Sequence, residues 1–317
     1  LLADVGGTNA RFALLTDGVI SDACVLDGGA YATIAEAVQT FLAKAQSAPP
    51  RQAAIAIAAP LRGDEVRMTN HTWRFSVAGL RRELGLDRLI VLNDFTALAM
   101  ALRHLPREEL KQHGGTSAVA NAPIGLIGPG TGLGVSGLVA VGEVWTPLQG
   151  EGGHVTLSAC SEREIKVIDV MRARFTHVSA ERAISGPGLV NLYSALCSLD
   201  GVASRPLQPS EIADAALART DLQCAEALKL FCAMLGSVAG NLALTLGAFG
   251  GVYIGGGIVP RLGDYFAHSD FRARFEAKGR YKEYLAPIPA YVIHAPSPAF
   301  YGLARAFIDP GPRLEAQ

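Results

Sequence analysis

The sequence predicts an α/β chain built as two similar domains facing one cleft. Three observations carry this. Half of the 317 residues are apolar and only 18% are charged, enough core-forming material for two domains and too apolar for a disordered chain. Short apolar runs alternate with capped helical segments. Each half opens with a strand hairpin around a glycine-threonine loop: Asp4-Val-Gly-Gly-Thr-Asn9 in the first and Gly128-Pro-Gly-Thr-Gly-Leu-Gly134 in the second. That recurrence is the pattern of an internal duplication.

The elements follow in order. Residues 1–6, 10–16 and 20–26 are strand-like runs separated by turn residues. Thr33-Ile-Ala-Glu36 is a capping box opening a helix to about Gln46. Residues 53–59 form a buried strand stopped by Pro60, 76–84 a helix, 89–92 a strand and 95–105 a helix. The polar, glycine-bearing stretch 104–121 is the crossing between domains. Strands restart at 124–127, 134–141 and 144–147. Ser161-Glu-Arg-Glu164 caps the next helix, and further helices lead to a long one ending near Leu246. Residues 252–254 and 291–293 are strands and 298–308 a final helix.

Charge and cysteine usage exclude several classes. A formal net charge of −1 builds no broad basic face, so no nucleic-acid partner is expected. Arg81-Arg82 sits in a helical segment and reads as a solvated face. Cys24, Cys160, Cys197, Cys224 and Cys232 are scattered, with no C-x-x-C, which suits reduced thiols in a cytoplasm and no structural zinc. Residues 231–260 carry no charge and raise the question of a membrane span. Eight glycines interrupt the segment and Gly250-Gly251 divides it, so a buried helix followed by a buried strand is expected, with no membrane and no signal peptide.

The glycine loops are the first chemical signal. No lysine follows a glycine, so there is no P-loop. Gly132-Leu-Gly-Val-Ser-Gly137 matches G-x-G-x-x-G but runs into strand-like Leu138-Val-Ala-Val141, where a dinucleotide fold needs a helix. A glycine loop between strands turns consecutive N–H groups onto phosphate oxygens, since no Cβ blocks the approach. Gly6, Gly7, Gly130 and Gly132 supply that backbone, and the Thr8 and Thr131 hydroxyls add donors. Two such loops can clamp a triphosphate; each alone also fits a tight hairpin. Asp4, beside the first loop, is a candidate Mg²⁺ partner, directly or through water, because a carboxylate near phosphates needs a cation between them. A strand-end aspartate capping the turn is the other reading.

Further motifs stand in a fixed order. They are Asp4-Val-Gly-Gly-Thr-Asn-Ala-Arg11, Met68-Thr-Asn-His-Thr-Trp73, Asn93-Asp-Phe-Thr-Ala97, Gly130-Thr-Gly-Leu-Gly134 and Gly150-Glu-Gly-Gly-His154. After them come His177-Val-Ser-Ala-Glu-Arg182, Ser185-Gly-Pro-Gly-Leu-Val-Asn191 and Gly255-Gly-Gly-Ile-Val-Pro-Arg261. The ordered set resembles the bacterial glucokinase family from Leu1 to the final helix. The resemblance implies two ribonuclease-H-like domains of the actin-like ATPase kind flanking a cleft. It implies a small domain of 1–104 plus about 296–317 and a large domain of 105–295. It also implies transfer of the ATP γ-phosphoryl group to the 6-hydroxyl of glucose, with Mg²⁺, in a cytoplasmic homodimer. Related sugar kinases with a cysteine-rich zinc motif are less similar, since no cysteine cluster is present.

The sugar site follows from the resemblance. Asp94, between a strand and an apolar helix, reads alone as a helix cap; the resemblance makes it the general base that takes the hydroxyl proton. Asn93, Glu151, His154 and Glu181 match the family's sugar-binding positions, and carboxylates and amides suit a ring of hydroxyls. Alone, Gly150-Glu-Gly-Gly-His154 reads as an exposed turn and Glu181 as a first-turn glutamate. Glu151-x-x-His154 lacks further ligands nearby in sequence and is not read as a metal site. Asn70 and Trp73 border the sugar with roles left open. Gly256, within Gly255-Gly256-Gly257, either admits the adenosine or simply turns the chain. Two rival readings remain. A catalytically silent sugar sensor has no need of Asp94. An actin-like ATPase with a protein partner has no need of the sugar cluster.

Overall fold

The computed structural model describes residues 1–308 except 62, 69 and 70, and the backbone of the strand 314–316. Two six-stranded sheets organise it. In the first, β1 (Leu2–Val5) pairs antiparallel with β2 (Asn9–Thr16), and β2 with β3 (Val19–Asp27). On its other side β1 is parallel to β4 (Gln52–Ile57). β5 (Glu65–Arg67) and β6 (Arg74–Ser76) form a separate hairpin, β7 (Arg88–Asn93) lies parallel to β4, and β14 (Leu314–Ala316) antiparallel to β7.

Period-two alternation gives this sheet two apolar faces. Ala3, Val5, Ile55, Ile57, Leu89 and Val91 pack with helices α1 (Ile34–Ala45) and α2 (Val77–Glu83). Leu2, Ala54, Ala56, Ile90 and Leu92 pack with α3 (Asp94–Ala101) and the late helix Ala299–Arg305. The two helices of the second face touch through Gly302, where a Cβ would overlap the Ala97 carbonyl oxygen.

The second sheet has the order β11-β10-β9-β12-β13-β8, with β8 (Leu110–Gln112), β9 (Ile124–Pro129), β10 (Leu133–Val141), β11 (Val144–Leu148), β12 (Val252–Ile254) and β13 (Ala290–Ile293). β12 is parallel to β9 and to β13, and β8 closes the edge antiparallel to β13. Each sheet therefore runs from a glycine-loop hairpin through parallel strands to an antiparallel edge. The helix Leu222–Leu246 is apolar and long enough to cross a membrane by composition, yet Leu228, Phe231, Leu235 and Ala239 lie fully buried in the core beside β9 and β12.

Contacts divide the chain into two compact units. One is Leu1–Glu109 with Leu138–Gln149 and Ala295–Gln317; the other is Leu110–Gly137 with Gly150–His294. The hairpin 138–149 groups with the first unit, where the Arg103 guanidinium lies 4.5 Å from the Trp145 ring centroid; the sequence reading placed it in the second.

The caps act as their chemistry requires. Thr33 Oγ1 accepts the Glu36 N–H at 3.1 Å, while the Glu36 carboxylate reaches one residue further than a capping box, to the N–H of Ala32. Ser161 and Ser76 cap their helices in the same way. The helix expected over 95–105 is the shorter α3, and the final helix ends at Arg305, with a strand following that the sequence did not reveal.

Candidate active site

In the first unit the site residues gather where parallel strands end. Val5, Ile57 and Asn93 share one register across β1, β4 and β7. The carboxyl ends of parallel strands are where open α/β sheets bind ligands. β7 ends at Asn93 and α3 begins at Asp94.

Asn93, not Asp94, is the helix cap. Its Oδ1 accepts the N–H groups of Phe95 and Thr96 at 3.0 and 3.1 Å. Its amide nitrogen donates to Asp94 Oδ1 at 3.0 Å and to the Ala59 carbonyl at 3.3 Å. An amide offers two donors and two acceptor positions, so all four are engaged. Asp94 Oδ1 also accepts the Phe95 N–H at 2.9 Å. One carboxylate oxygen is thus fixed by two donors, which orients the group.

Asp4 stands opposite Arg11 in the β1–β2 register, and Arg11 Nη1 donates to Asp4 Oδ2 at 3.2 Å. Directly opposed cross-strand partners are close enough for this pairing. The Asp4 side chain is only 16% exposed, and burial pushes its carboxyl above the usual range while Arg11 pulls it part of the way back. The fold therefore carries a carboxylate whose charge its neighbours compensate incompletely, a setting that fits a cation. Among the described residues no group of three or more His, Cys, Asp or Glu stands together to hold a metal.

The first glycine loop is fastened by Gly6 N–H to the Asn9 carbonyl at 3.0 Å and by Gly28 N–H to that of Thr8 at 2.9 Å. The second, in the other unit, is tied by Gly130 N–H to the Gly132 carbonyl and by Gly186 N–H to that of Gly130, both at 2.8 Å. Thr8 and Thr131 are exposed beside them. Gly256 has φ +79°, and a Cβ there would overlap the Pro129 carbonyl at the end of β9. Glycine is required, and it brings the Gly255–257 turn against the approach to the second loop.

The sugar-type residues of the second unit form one cluster. Ala180 N–H donates to the Val155 carbonyl at 2.9 Å and Leu157 N–H to that of Val178 at 3.0 Å, which lays the chain after His154 against the chain before Glu181. Leu133 N–H donates to Glu181 Oε2 at 2.9 Å. His154 Nε2 lies 4.0 Å from Glu151 Oε2, and both side chains are largely exposed. His154 and Glu181 line a cavity of about 500 Å³. Glu181 sits in the short 3-10 turn Ala180–Arg182, not at the start of an α-helix.

Trp73 is different. It is 2% exposed and its indole N–H donates to the Tyr31 carbonyl at 2.9 Å, which makes it a core residue of the first unit. Asn70 lies outside the described residues. Two partners were missed from sequence. Arg11 stands inside a quoted motif, and its place opposite Asp4 was readable from the hairpin register. The Leu133 N–H left no signal.

The chain matches the family model Glucokinase over residues 1–309. Curated relatives include the glucokinase of Aromatoleum aromaticum, 57% identical over 312 residues, covering 96% of this chain and 93% of the relative. The glucokinase of Chromobacterium violaceum is 54% identical over 310 residues, covering 98% and 89%. A crystal structure of glucokinase from an Antarctic psychrotroph is similar at TM-score 0.85 and 34% identity, with 96% of each chain covered. The two sheets with their glycine loops are those of the actin-like sugar kinases, and this chain belongs to the glucokinase family.

Proposed function

We infer that this member of the glucokinase family transfers the γ-phosphoryl group of ATP to the 6-hydroxyl of glucose, giving glucose 6-phosphate and ADP. The observation that carries the catalytic assignment is the Asp94 carboxylate, fixed at the end of β7 by Asn93 Nδ2 and Phe95 N–H. A sugar hydroxyl is a poor nucleophile until its proton can leave. A carboxylate within hydrogen-bond reach accepts that proton as the new P–O bond forms. Asn93 orients the base, and it reaches a sugar hydroxyl by releasing its longest bond, to Ala59.

Glu151, His154 and Glu181 bind the hydroxyls of the hexose. The Gly7 and Gly132 N–H groups, with the Thr8 and Thr131 hydroxyls, bind the phosphates, while Gly6 and Gly130, whose N–H groups tie their own loops, let the phosphates approach the backbone. Gly256 gives the nucleotide close access to backbone. Mg²⁺, when bound, neutralises charge on the phosphates, and Asp4 would hold it directly or through water. The sugar phosphorylation is placed in the cytoplasm, at the entry to glycolysis. Free thiols at all five cysteines support the compartment. The homodimer is assigned from the family resemblance, with no nucleic-acid or membrane partner.

A coupled assay of ADP release across a panel of hexoses, with ATP and Mg²⁺, tests the reading. Glucose should be phosphorylated far faster than ATP is hydrolysed without sugar. Glucose binding without ADP release would identify a sensor, and sugar-independent turnover would identify an ATPase.

A further inference from the structure

The short turn that carries Glu181 is held from outside. Within Ala180–Arg182 the Ala180 carbonyl accepts the N–H groups of Ala183 at 3.1 Å and Ile184 at 2.8 Å. The next two carbonyls go to side chains of the segment that follows. Ser185 Oγ donates to the Glu181 carbonyl at 2.7 Å, and Asn191 Nδ2 donates to the Arg182 carbonyl at 3.0 Å. Both side chains are buried. A buried carbonyl that loses its donor has little water to replace it.

Helix formation explains only part of this. Ser185 is the N-cap of the helix Gly186–Asp200, and its Oγ accepts the Gly188 N–H at 2.9 Å. A cap needs that acceptor and no more; the hydroxyl proton is spent on Glu181. Asn191 lies in the second turn of the helix, between Val190 and Leu192, and caps nothing. Asparagine is a weak helix former, so its place there answers to the carbonyl beside Glu181. Gly188 lets the helix close on the turn. A Cβ on it would lie 2.6 Å from the Ala183 carbonyl carbon and 2.9 Å from the Glu181 carbonyl oxygen.

We propose that Ser185 and Asn191 are positioning residues for the hexose, acting through the backbone of Glu181. The proposal rests on the assignment of Glu181 to the sugar. Two adjacent carbonyls fixed by two side chains set the path of the chain at Glu181, and the Leu133 N–H sets its carboxylate from the other end. A ligand that must meet a ring hydroxyl within hydrogen-bond tolerance needs both ends fixed. Neither Ser185 nor Asn191 touches the sugar. Loss of either lets the turn drift, and the carboxylate meets the hydroxyl less well in ground state and transition state alike. The effect therefore falls on the KM for glucose, with kcat largely kept.

Steady-state kinetics with glucose and ATP varied in turn test this on Ser185→Ala, Ser185→Thr and Asn191→Leu, the first and last also combined with Glu181→Ala. The KM for glucose should rise roughly three- to ten-fold in Ser185→Ala and in Asn191→Leu, the scale of one net hydrogen bond. Asn191→Leu should leave kcat and the KM for ATP near those of the parent. Ser185→Thr keeps the hydroxyl and should recover most of the effect. On the Glu181→Ala background neither change should raise the KM for glucose further. A merely structural role lowers stability and the yield of active enzyme and leaves KM in place. Should Ser185→Ala fold poorly through loss of the cap, Asn191→Leu decides alone. An unchanged KM for glucose in the folded variants, or the same rise with Glu181 already removed, overturns the proposal. Glu181→Ala by itself tests the underlying assignment. An unchanged KM for glucose there removes Glu181 from the hexose, whereas a raised KM beside unchanged values in the other variants removes the positioning role alone.

Discussion

The backbone N–H of Leu133 donates to Glu181 Oε2 at 2.9 Å, so a residue of the second glycine loop holds a proposed sugar ligand that stands 48 positions later. A Cβ on Gly132 would lie 2.5 Å from that same oxygen. Gly132→Ala must therefore displace the Glu181 carboxylate as well as crowd the phosphate site. Its kcat/KM for glucose should fall roughly ten-fold or more, the scale of one charge-assisted hydrogen bond. Steady-state kinetics with each substrate varied will show it. An effect confined to the KM for ATP would refute the coupling.

Asp94→Asn preserves the shape of the side chain and removes its ability to accept a proton. Turnover should drop about 10²–10⁴-fold while hexose affinity changes much less. Asn93→Ala loses both the helix cap and the donor that orients Asp94. It should cost about 1 kcal/mol of stability and lower kcat with it. Urea titration and single-turnover kinetics measure the two effects. Near-normal kcat in folded Asp94→Asn removes the base assignment.

Asp4 is buried enough that its proton is bound more tightly in the folded chain than in the unfolded one. Its contribution to stability is full below the ordinary aspartate pKa of 3.8 and is lost as pH rises through the elevated folded value. Asp4→Asn does not titrate. At pH 7 the variant should be at least as stable as the parent, and the two curves should converge toward acid. Mg²⁺ with nucleotide should stabilise the parent more than the variant. Thermal melts across pH, with and without the ligand, decide this. A parent that gains on the variant as pH rises contradicts it.

Gly302→Ala places a methyl group into the Ala97 carbonyl, where the last helix crosses α3. Helix propensity alone favours alanine by about 1 kcal/mol. Overpacking against a backbone atom should outweigh that and give a net loss of roughly 1–3 kcal/mol. Because α3 carries Asp94, kcat should fall too. Chemical denaturation giving equal or greater stability would show that the crossing yields without strain.

Local chemistry was the legible part of this molecule. The strand Val252–Ile254 was readable to the residue because an uninterrupted apolar triplet stands between Gly250-Gly251 and Gly255-Gly256-Gly257. Thr33 and Ser161 announced helix starts because each hydroxyl stands three residues before the amide it caps. Asn93 and Asp94 defeated the same reasoning, since either side chain can cap and they are adjacent; the structure chooses Asn93. β5 and β6 were missed because Glu65, Arg67 and Arg74 hide so short a hairpin, and β8 because its three residues read as polar crossing. What the sequence could not disclose was partnership over distance. The Glu181–Leu133 bond and the Asn93–Ala59 bond depend on chain paths that meet only after folding.

The crossing of Ala299–Arg305 over α3 sets the order in which a newly made chain becomes an enzyme. Asp94 is synthesised well before the helix that backs its own helix. Until then the face formed by Leu2, Ala54, Ala56, Ile90 and Leu92 lacks its covering of Phe300 and Leu303. A nascent chain, or one terminated before that helix, therefore presents an uncovered apolar sheet face to chaperones and proteases behind the helix that carries the base. Products truncated before that helix are removed instead of persisting as slow kinases.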